Sequence, residues 1–417
     1  MVSTAVPAGG LIEGSAVLKS HLRRAERTRK LRAVGLVLPL FLFIMVSFII
    51  PIGVMLFQSI YDPDIRTLMP NTAAALDTWD GADLPDETVF AALVQDLAAA
   101  QKEKKAALIG RRLNYEMSGL RSELVKSGKA AMTMTAGPYK DQMIAVAPIW
   151  GDRATWAVIK RAARTYTPYY YLSSFDFEYT ADNDVVAVPE GQAVYKAVFV
   201  RTLGISLLVT ALTLVLGFPV AYLLATQPPR IANLLLILVL LPFWTSLLVR
   251  TTAWVVLLQT QGPINDLLML TGLVDERVQL IFTRFGTIAA MTHIQLPFTL
   301  LPIYSVMKTI SPSHMRAARS LGANSFYAFA RVYFPQTLPG VAAGCLLTFI
   351  LCLGYYITPA LVGGPTDQLI STYIALFTNS TVNWGMGSAL GTILLASTLV
   401  LYFVYNRLVG IDRMRLT

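Results

Sequence analysis

The sequence predicts an all-α integral membrane protein with six transmembrane helices and a large, mainly helical extracytoplasmic insertion between helices 1 and 2. Three observations lead there. The chain is 55% hydrophobic and 14% charged, whereas an ordinary soluble protein is about 25% charged. Six stretches, roughly 33–57, 197–225, 231–258, 281–307, 338–363 and 386–410, contain no Asp or Glu. Each reaches the ~20 mostly apolar residues needed to cross a bilayer core. Between the first two runs lies 58–195, a moderately polar segment without cysteine and long enough for a small domain.

Residues 1–32 form a basic segment. Lys19, Arg23, Arg24, Arg27, Arg29, Lys30 and Arg32 hold the N-terminus in the cytoplasm by the excess of positive charge found on that side. The run 33–57 is too long for a cleavable signal and no small-residue cleavage site follows it, so it is expected to remain as transmembrane helix 1. The insertion opens with turn-rich sequence around Pro63, Pro70 and Asp80-Gly81. A helical pattern then runs from Asp86 to about Lys129 through Val89, Leu93, Leu97, Leu108, Leu113 and Leu120, with Gly110 and Gly119 as the expected breaks. A second pattern covers Ala154 to Arg164. The aromatic run from Tyr166 to Tyr179 is expected to contribute in part to an interfacial belt at the entry to the second span. The core, 196–410, has short links such as Gln227-Pro228-Pro229-Arg230 and a cytoplasmic loop at 308–337. The tail 411–417, with Arg407 just before it, returns to the cytoplasm.

A net charge of +9 raises the question of nucleic acid. The basic residues are divided between cytoplasmic flanks and the outer insertion, without a nucleic-acid motif, so orientation and anionic membrane lipid account for them. Cys345 and Cys352 share a helical face as packing residues, and His21, His293 and His314 are too far apart in topology to form one site. There is no catalytic constellation and no G-x-x-x-x-G-K-(S/T) loop, so the chain is expected to bind no cofactor and to draw ATP energy from another subunit.

The polar stretch Ser311–Gly340 separates two apolar runs. Ser311 can cap a helix with Pro312 in its first turn, and Gly322 can end it in the left-handed conformation. Asn324 or Ser325 then caps a second short helix, expected to stop near Pro335. The result is a rigid knob, with Ala317 and Ala318 leaving room for close approach. The pattern Ala317-Ala318, Leu321-Gly322-Ala323, Val332, Phe334 and Pro335 resembles the EAA loop of type I ABC importer permeases. That resemblance, which spans about 33–60 and 195–410, implies the bundle of that family and a loop that docks into a motor ATPase. The acidic residue of that loop falls at position 316, which here is Arg316. With Arg319 three residues on, two guanidinium groups share one helix face.

Translocation residues are sought in the spans. Leu241–Trp254 reads LPFWTSLLVRTTAW: Pro242 removes a backbone donor, and Arg250 is a charge inside a predicted span, which by default marks function. Phe243, Trp244 and Arg250, together with Gly354-Tyr355-Tyr356-Ile357-Thr358-Pro359, resemble spermidine/putrescine-type permeases. His293 and Gln295 are polar candidates for the same path. Aromatic faces such as those of Tyr355 and Tyr356 suit alkyl-ammonium groups. With no carboxylate in any predicted span, a carboxylate-bearing solute such as an amino acid or opine is the alternative, and an ion-coupled secondary transporter the more distant one. The resemblance implies a bacterial inner membrane location and a working unit with two ATPase subunits carrying ATP and Mg. It also implies a second, different permease subunit and an extracytoplasmic solute-binding protein.

Overall fold

The computed structural model describes residues 26–409 except Thr28 and Leu31. Lys19, His21, Arg23, Arg24, Arg413 and Arg415 lie outside the described residues. The chain divides into two units, Met1–Phe57 and Gln58–Thr417. A helix runs from Arg32 to Gln58, and an 18-residue stretch of it has a mean hydropathy of 2.8. Residues Met45–Ile49 form a π-helical turn in which the Ile50 N–H reaches the Met45 carbonyl. Pro51 follows two residues later. Its ring would strike the carbonyl four residues back, and the widened turn makes room for it.

In the second unit, Glu87–Lys102, Ala106–Asn114, Leu120–Ala131 and Arg153–Ala162 are helices. They enclose a core that includes Phe90, Leu97, Leu113, Leu124, Trp150 and Trp156. The Phe90 and Trp156 rings meet edge to face at 4.7 Å. Both buried indoles are satisfied: Trp150 Nε1 donates to Ser127 Oγ and Trp156 Nε1 to the Trp150 carbonyl. Asp86 and Asp152 cap the first and last of these helices. The long helical pattern breaks at Gly119, φ +92, as expected, but its other break falls at Lys104, φ +59, instead of Gly110. Gly110 lies within a helix, where a Cβ would come within 3.0 Å of the Arg121 backbone. Its missing side chain lets two helices touch.

The aromatic run also differs from expectation. Tyr169–Ser174 is a short helix, followed by an antiparallel hairpin of Phe177–Tyr179 with Val185–Ala187. The buried Tyr170 hydroxyl donates to Asp62, and Tyr169 Oη donates to the Tyr115 carbonyl. These two rings are internal fasteners, whereas Tyr166 and Phe175 of the same run are exposed. Just beyond, buried Asp176 accepts from the backbone N–H groups of Val194, Tyr195 and Lys196 at 2.9, 2.9 and 2.7 Å. Those are orphan donors of the helix Tyr195–Thr226, so a carboxylate from the insertion caps an apolar helix of 32 residues. Asp176→Ala is expected to cost about 2 kcal/mol. Hydrogen exchange at the amides of Tyr195 to Val198 should accelerate, and unchanged exchange there would refute the capping role.

Among the described residues four helices are long and apolar enough to cross a membrane: Arg32–Gln58, Tyr195–Thr226, Ser325–Leu353 and Trp384–Arg407. Pro229–Trp244 and Leu247–Leu270 make a fifth only if counted as one span bent by 93°. The expected span 231–258 is therefore broken close to Pro242, the proline whose missing donor weakens the helix there. Leu241–Trp244 tightens into a 3₁₀ turn around Pro242, and Ser246 caps a new helix by accepting from the Val249 N–H. Arg284–Thr309, over the expected run 281–307, is a helix of 26 residues that is less apolar than the other four.

Small residues bring three of these helices together. A Cβ at Gly344 would lie 2.5 Å from the Thr299 carbonyl oxygen, and one at Gly340 2.9 Å from that of Pro302. At this close approach the hydroxyls of Thr213, Thr299 and Thr348 form a buried chain with links of 2.8 and 2.6 Å. The helix Ser325–Leu353 runs straight through Pro335, where the sequence led us to expect a stop. A π turn at Phe329–Tyr333 ends two residues before that proline, as the turn at Met45–Ile49 does before Pro51. Beyond Leu353 the chain turns at Gly354–Tyr356 before the short helix Ile357–Val362, so the run 338–363 is not one continuous helix.

Candidate functional site

The loop between Arg284–Thr309 and Ser325–Leu353 is built by local signals. Ser311 Oγ accepts from the Ser313 N–H and Pro312 occupies the first turn of the helix Pro312–Ser320. The chain then reverses at Gly322, φ +92. Its N–H donates to the Arg319 carbonyl and that of Ala323 to the Ala318 carbonyl, which satisfies the last acceptors of the helix. Asn324 Oδ1 caps the next helix by accepting from the Tyr327 N–H at 2.7 Å. Nothing lies within 4 Å of where a Gly322 Cβ would stand, so the glycine is required by conformation and not by space.

This turn holds apolar side chains outward. Leu321 is 89% exposed and Phe326 81%. Arg316, Ala317, Arg319 and Ala323 sit on the same protrusion, with Arg316 and Arg319 exposed. Among the described residues neither of these two arginines forms an ion pair. The protrusion is fastened to the bundle. His314 Nδ1 and Gln336 Oε1 are 2.9 Å apart. Phe329 stacks on Tyr333, and both meet Tyr222 edge to face at 5.6 and 5.4 Å. Phe218 packs against Phe334 at 5.8 Å. The sequence reading missed this aromatic link. Its signal was present as two pairs at helical spacing, Phe218 with Tyr222 and Phe329 with Tyr333.

Of the candidate path residues, the broken helix brings some together. The Arg250 guanidinium lies over the Phe243 ring at 4.6 Å, and Phe243 meets Phe298 at 5.4 Å. Arg250 Nε and Nη1 are buried without a hydrogen-bond partner. His293 and Tyr355 both lie within the field of that charge. The Trp254 indole donates to His293 Nδ1 at 3.1 Å. Thr358 joins Thr251 at 3.1 Å and donates to the Tyr355 hydroxyl at 3.3 Å. A small cavity of about 180 Å³ is lined by Pro242, Phe243 and His293. Gln295 is buried in the bundle, whereas Trp244, 78% exposed, and Tyr356 are not drawn into this group.

A second polar group, not foreseen from the sequence, ties the insertion together. Buried Glu116 bonds Arg112 through Oε1 at 3.0 Å and Arg161 through Oε2 at 2.8 Å, and Arg112 also pairs with Asp62. Burial works against the Arg112 charge. Tyr170, Glu116 and Asp62 outweigh it, so that guanidinium holds its proton more tightly than an ordinary arginine. The partners are up to fifty positions apart, a distance at which sequence spacing carries no signal. Tyr115 Oη reaches the Thr381 carbonyl at 3.4 Å, and a Cβ at Gly385 would lie 2.3 Å from the Tyr170 ring. The insertion therefore rests on the start of the last apolar helix, Trp384–Val409.

The family described as binding-protein-dependent transport system inner membrane component matches residues 196–411. The spermidine/putrescine transport system permease protein PotB of Escherichia coli K12 is 34% identical over 219 residues, which covers 52% of this chain and 80% of that protein. PotB of Salmonella typhimurium LT2 is also 34% identical, over 52% of this chain and 76% of its own length. A crystal structure of a bacterial ABC transporter that imports the acidic polysaccharide alginate aligns with a TM-score of 0.41 and 22% identity, over 54% of this chain and 80% of that one.

Proposed function

We propose, since this chain belongs to the family of inner membrane components of binding-protein-dependent transport systems, that it is the subunit through which an ATP-driven importer passes a polyamine across the bilayer. The chain makes and breaks no bond in the solute. In this reading it crosses the membrane six times with both termini in the cytoplasm, and 58–195 is an extracytoplasmic insertion domain. It works with a second permease subunit, two ATPase subunits that hold ATP and Mg, and an external solute-binding protein.

One observation carries the coupling role. A left-handed Gly322 thrusts Leu321 and Phe326 out of the fold, and apolar side chains held that far out call for a partner surface. The reading assigns that surface to the ATPase, with acid facing Arg316 and Arg319. Closure of the ATPase pair would push the protrusion, and the link through Phe329, Tyr333, Phe218 and Tyr222 would pass the push to Tyr195–Thr226. The bundle then alternates between two rigid arrangements. The similarity to PotB supports a polyamine. A carboxylate-bearing solute is the second reading, favoured by the unpartnered nitrogens of Arg250.

The test is ATP hydrolysis by the reconstituted complex with its binding protein. Putrescine or spermidine is expected to stimulate turnover several-fold, with amino acids and opines inactive. Stimulation by carboxylates alone would move the solute and make Arg250 the residue to mutate. Stimulation by no solute at all would overturn the import reading.

A further inference from the structure

Where the insertion meets the last apolar helix there is a cavity of about 300 Å³. It is lined from three parts of the chain: Tyr61, Asp62 and Asp64, then Arg111, Arg112 and Tyr115, then Trp384. Asp62 and Arg112 are already satisfied. Arg112 lies between Asp62 and Glu116, and Asp62 also accepts from the Tyr170 hydroxyl. Asp64 and Arg111 are left, and among the described residues neither forms an ion pair. Although Asp64 is exposed at the cavity mouth, lost hydration raises its carboxyl above the ordinary range. The Asp62 charge adds to this, while Arg112 and Arg111 pull the other way. Arg111 and Arg112 act on this carboxylate only through their fields, and no cation is in direct contact with it among the described residues.

The walls indicate which cation. A metal ion needs a cluster of ligands, and no group of three or more His, Cys, Asp or Glu suited to one occurs among the described residues. An ammonium group on a short alkyl chain needs one carboxylate and aromatic faces for its charge and methylenes. The space is near the lower end of the roughly 300–1,000 Å³ typical of small-molecule sites. We propose that this cavity binds a primary ammonium group of the imported solute, with Asp64 as counter-ion and Tyr61, Tyr115 and Trp384 as walls. The assignment rests on an amine as solute. It adds an acidic docking point outside the apolar spans, none of which contains Asp or Glu.

A polyamine and a zwitterionic amino acid both carry that group, and Arg111 separates them. It repels the far end of a diamine but attracts a carboxylate. Putrescine and ornithine, which differ by one carboxylate, are the matched probes. Binding of each is measured on the purified permease–ATPase complex in nanodiscs without binding protein, and uptake on the same complex with it. Asp64→Asn is expected to weaken binding about tenfold, the loss of one charge-assisted bond, and Asp64→Glu to retain most of it. Trp384→Ala should weaken it several-fold and Trp384→Phe less. Arg111→Met should tighten putrescine if the solute is a polyamine and weaken ornithine if it is a zwitterion.

Gel filtration of each variant shows whether it is folded. Binding unchanged in Asp64→Asn and in Trp384→Ala would overturn the site and leave amine import standing. Failure of the parent complex both to bind and to import any amine would overturn the site together with the amine reading.

Discussion

Gly322→Pro is expected to abolish solute-stimulated ATP hydrolysis and uptake while the chain still inserts into the membrane. Proline fixes φ near −65°, and the native value is +92°. It also removes the N–H that donates to the Arg319 carbonyl. The turn must therefore open, and Leu321 and Phe326 lose their common direction. Graded substitutions separate conformation from bulk. No atom lies within 4 Å of the missing Cβ, so Gly322→Ala meets only the left-handed penalty of about 1–2 kcal/mol. That corresponds to roughly tenfold weaker coupling. Asn tolerates the left-handed region better than Ala, so Gly322→Asn should fall between glycine and alanine. The measurement is co-purification of the ATPase subunit with each variant, beside uptake. Normal uptake by Gly322→Pro would remove the docking role from this loop.

That loop was legible in the sequence because every interaction that shapes it is local. Ser311, Gly322 and Asn324 each bond a partner two or three residues away, Pro312 sits in the first turn, and the structure uses each as the spacing suggests. The composition of the runs likewise exposed the apolar helices. Continuity through proline was not legible. Pro335 reads as a stop, yet a π turn that ends two residues upstream absorbs the clash and lets the loop helix continue to Leu353. At 231–258 Pro242 marks a weak point in the helix, but the size of the bend at Thr245–Ser246, 93°, is not readable from apolarity. Hydropathy records what surrounds a segment and is blind to its direction. The candidate path was half legible. Phe243 and Arg250 lie one above the other because they flank that break, whereas Trp244, their neighbour in sequence, points elsewhere and stays exposed. Least legible was the insertion: its polar centre joins Asp62, Arg112, Glu116 and Arg161, and although Arg112 and Glu116 stand four residues apart on one helix face, spacing does not select Asp62 or Arg161 from the other charges of 58–195.

The polar centre sets the second large effect. Glu116→Gln keeps the shape of the side chain but leaves the positive charges of Arg112 and Arg161 opposed only by Asp62, in a place where all these side chains are buried. Removal of one partner from a buried ion network costs about 3–5 kcal/mol, since the remaining charge can neither reach water nor find a new counter-ion. Hydrogen exchange across 106–162 in the full complex should rise by the corresponding factor of several hundred or more, while exchange in Ser325–Leu353 stays as it was. Removal of one positive charge as well tests whether charge imbalance or lost hydrogen bonding dominates. If imbalance does, Glu116→Gln with Arg161→Met should recover much of the loss, because net charge at the centre returns to zero. No recovery would assign the cost to the bonds themselves. Either result bears on the function of the insertion, because Arg112 and Tyr170, which this centre positions, support both the 300 Å³ cavity and the contact at Gly385. A loosened centre should therefore lower amine affinity at Asp64 even though Glu116 does not line that cavity.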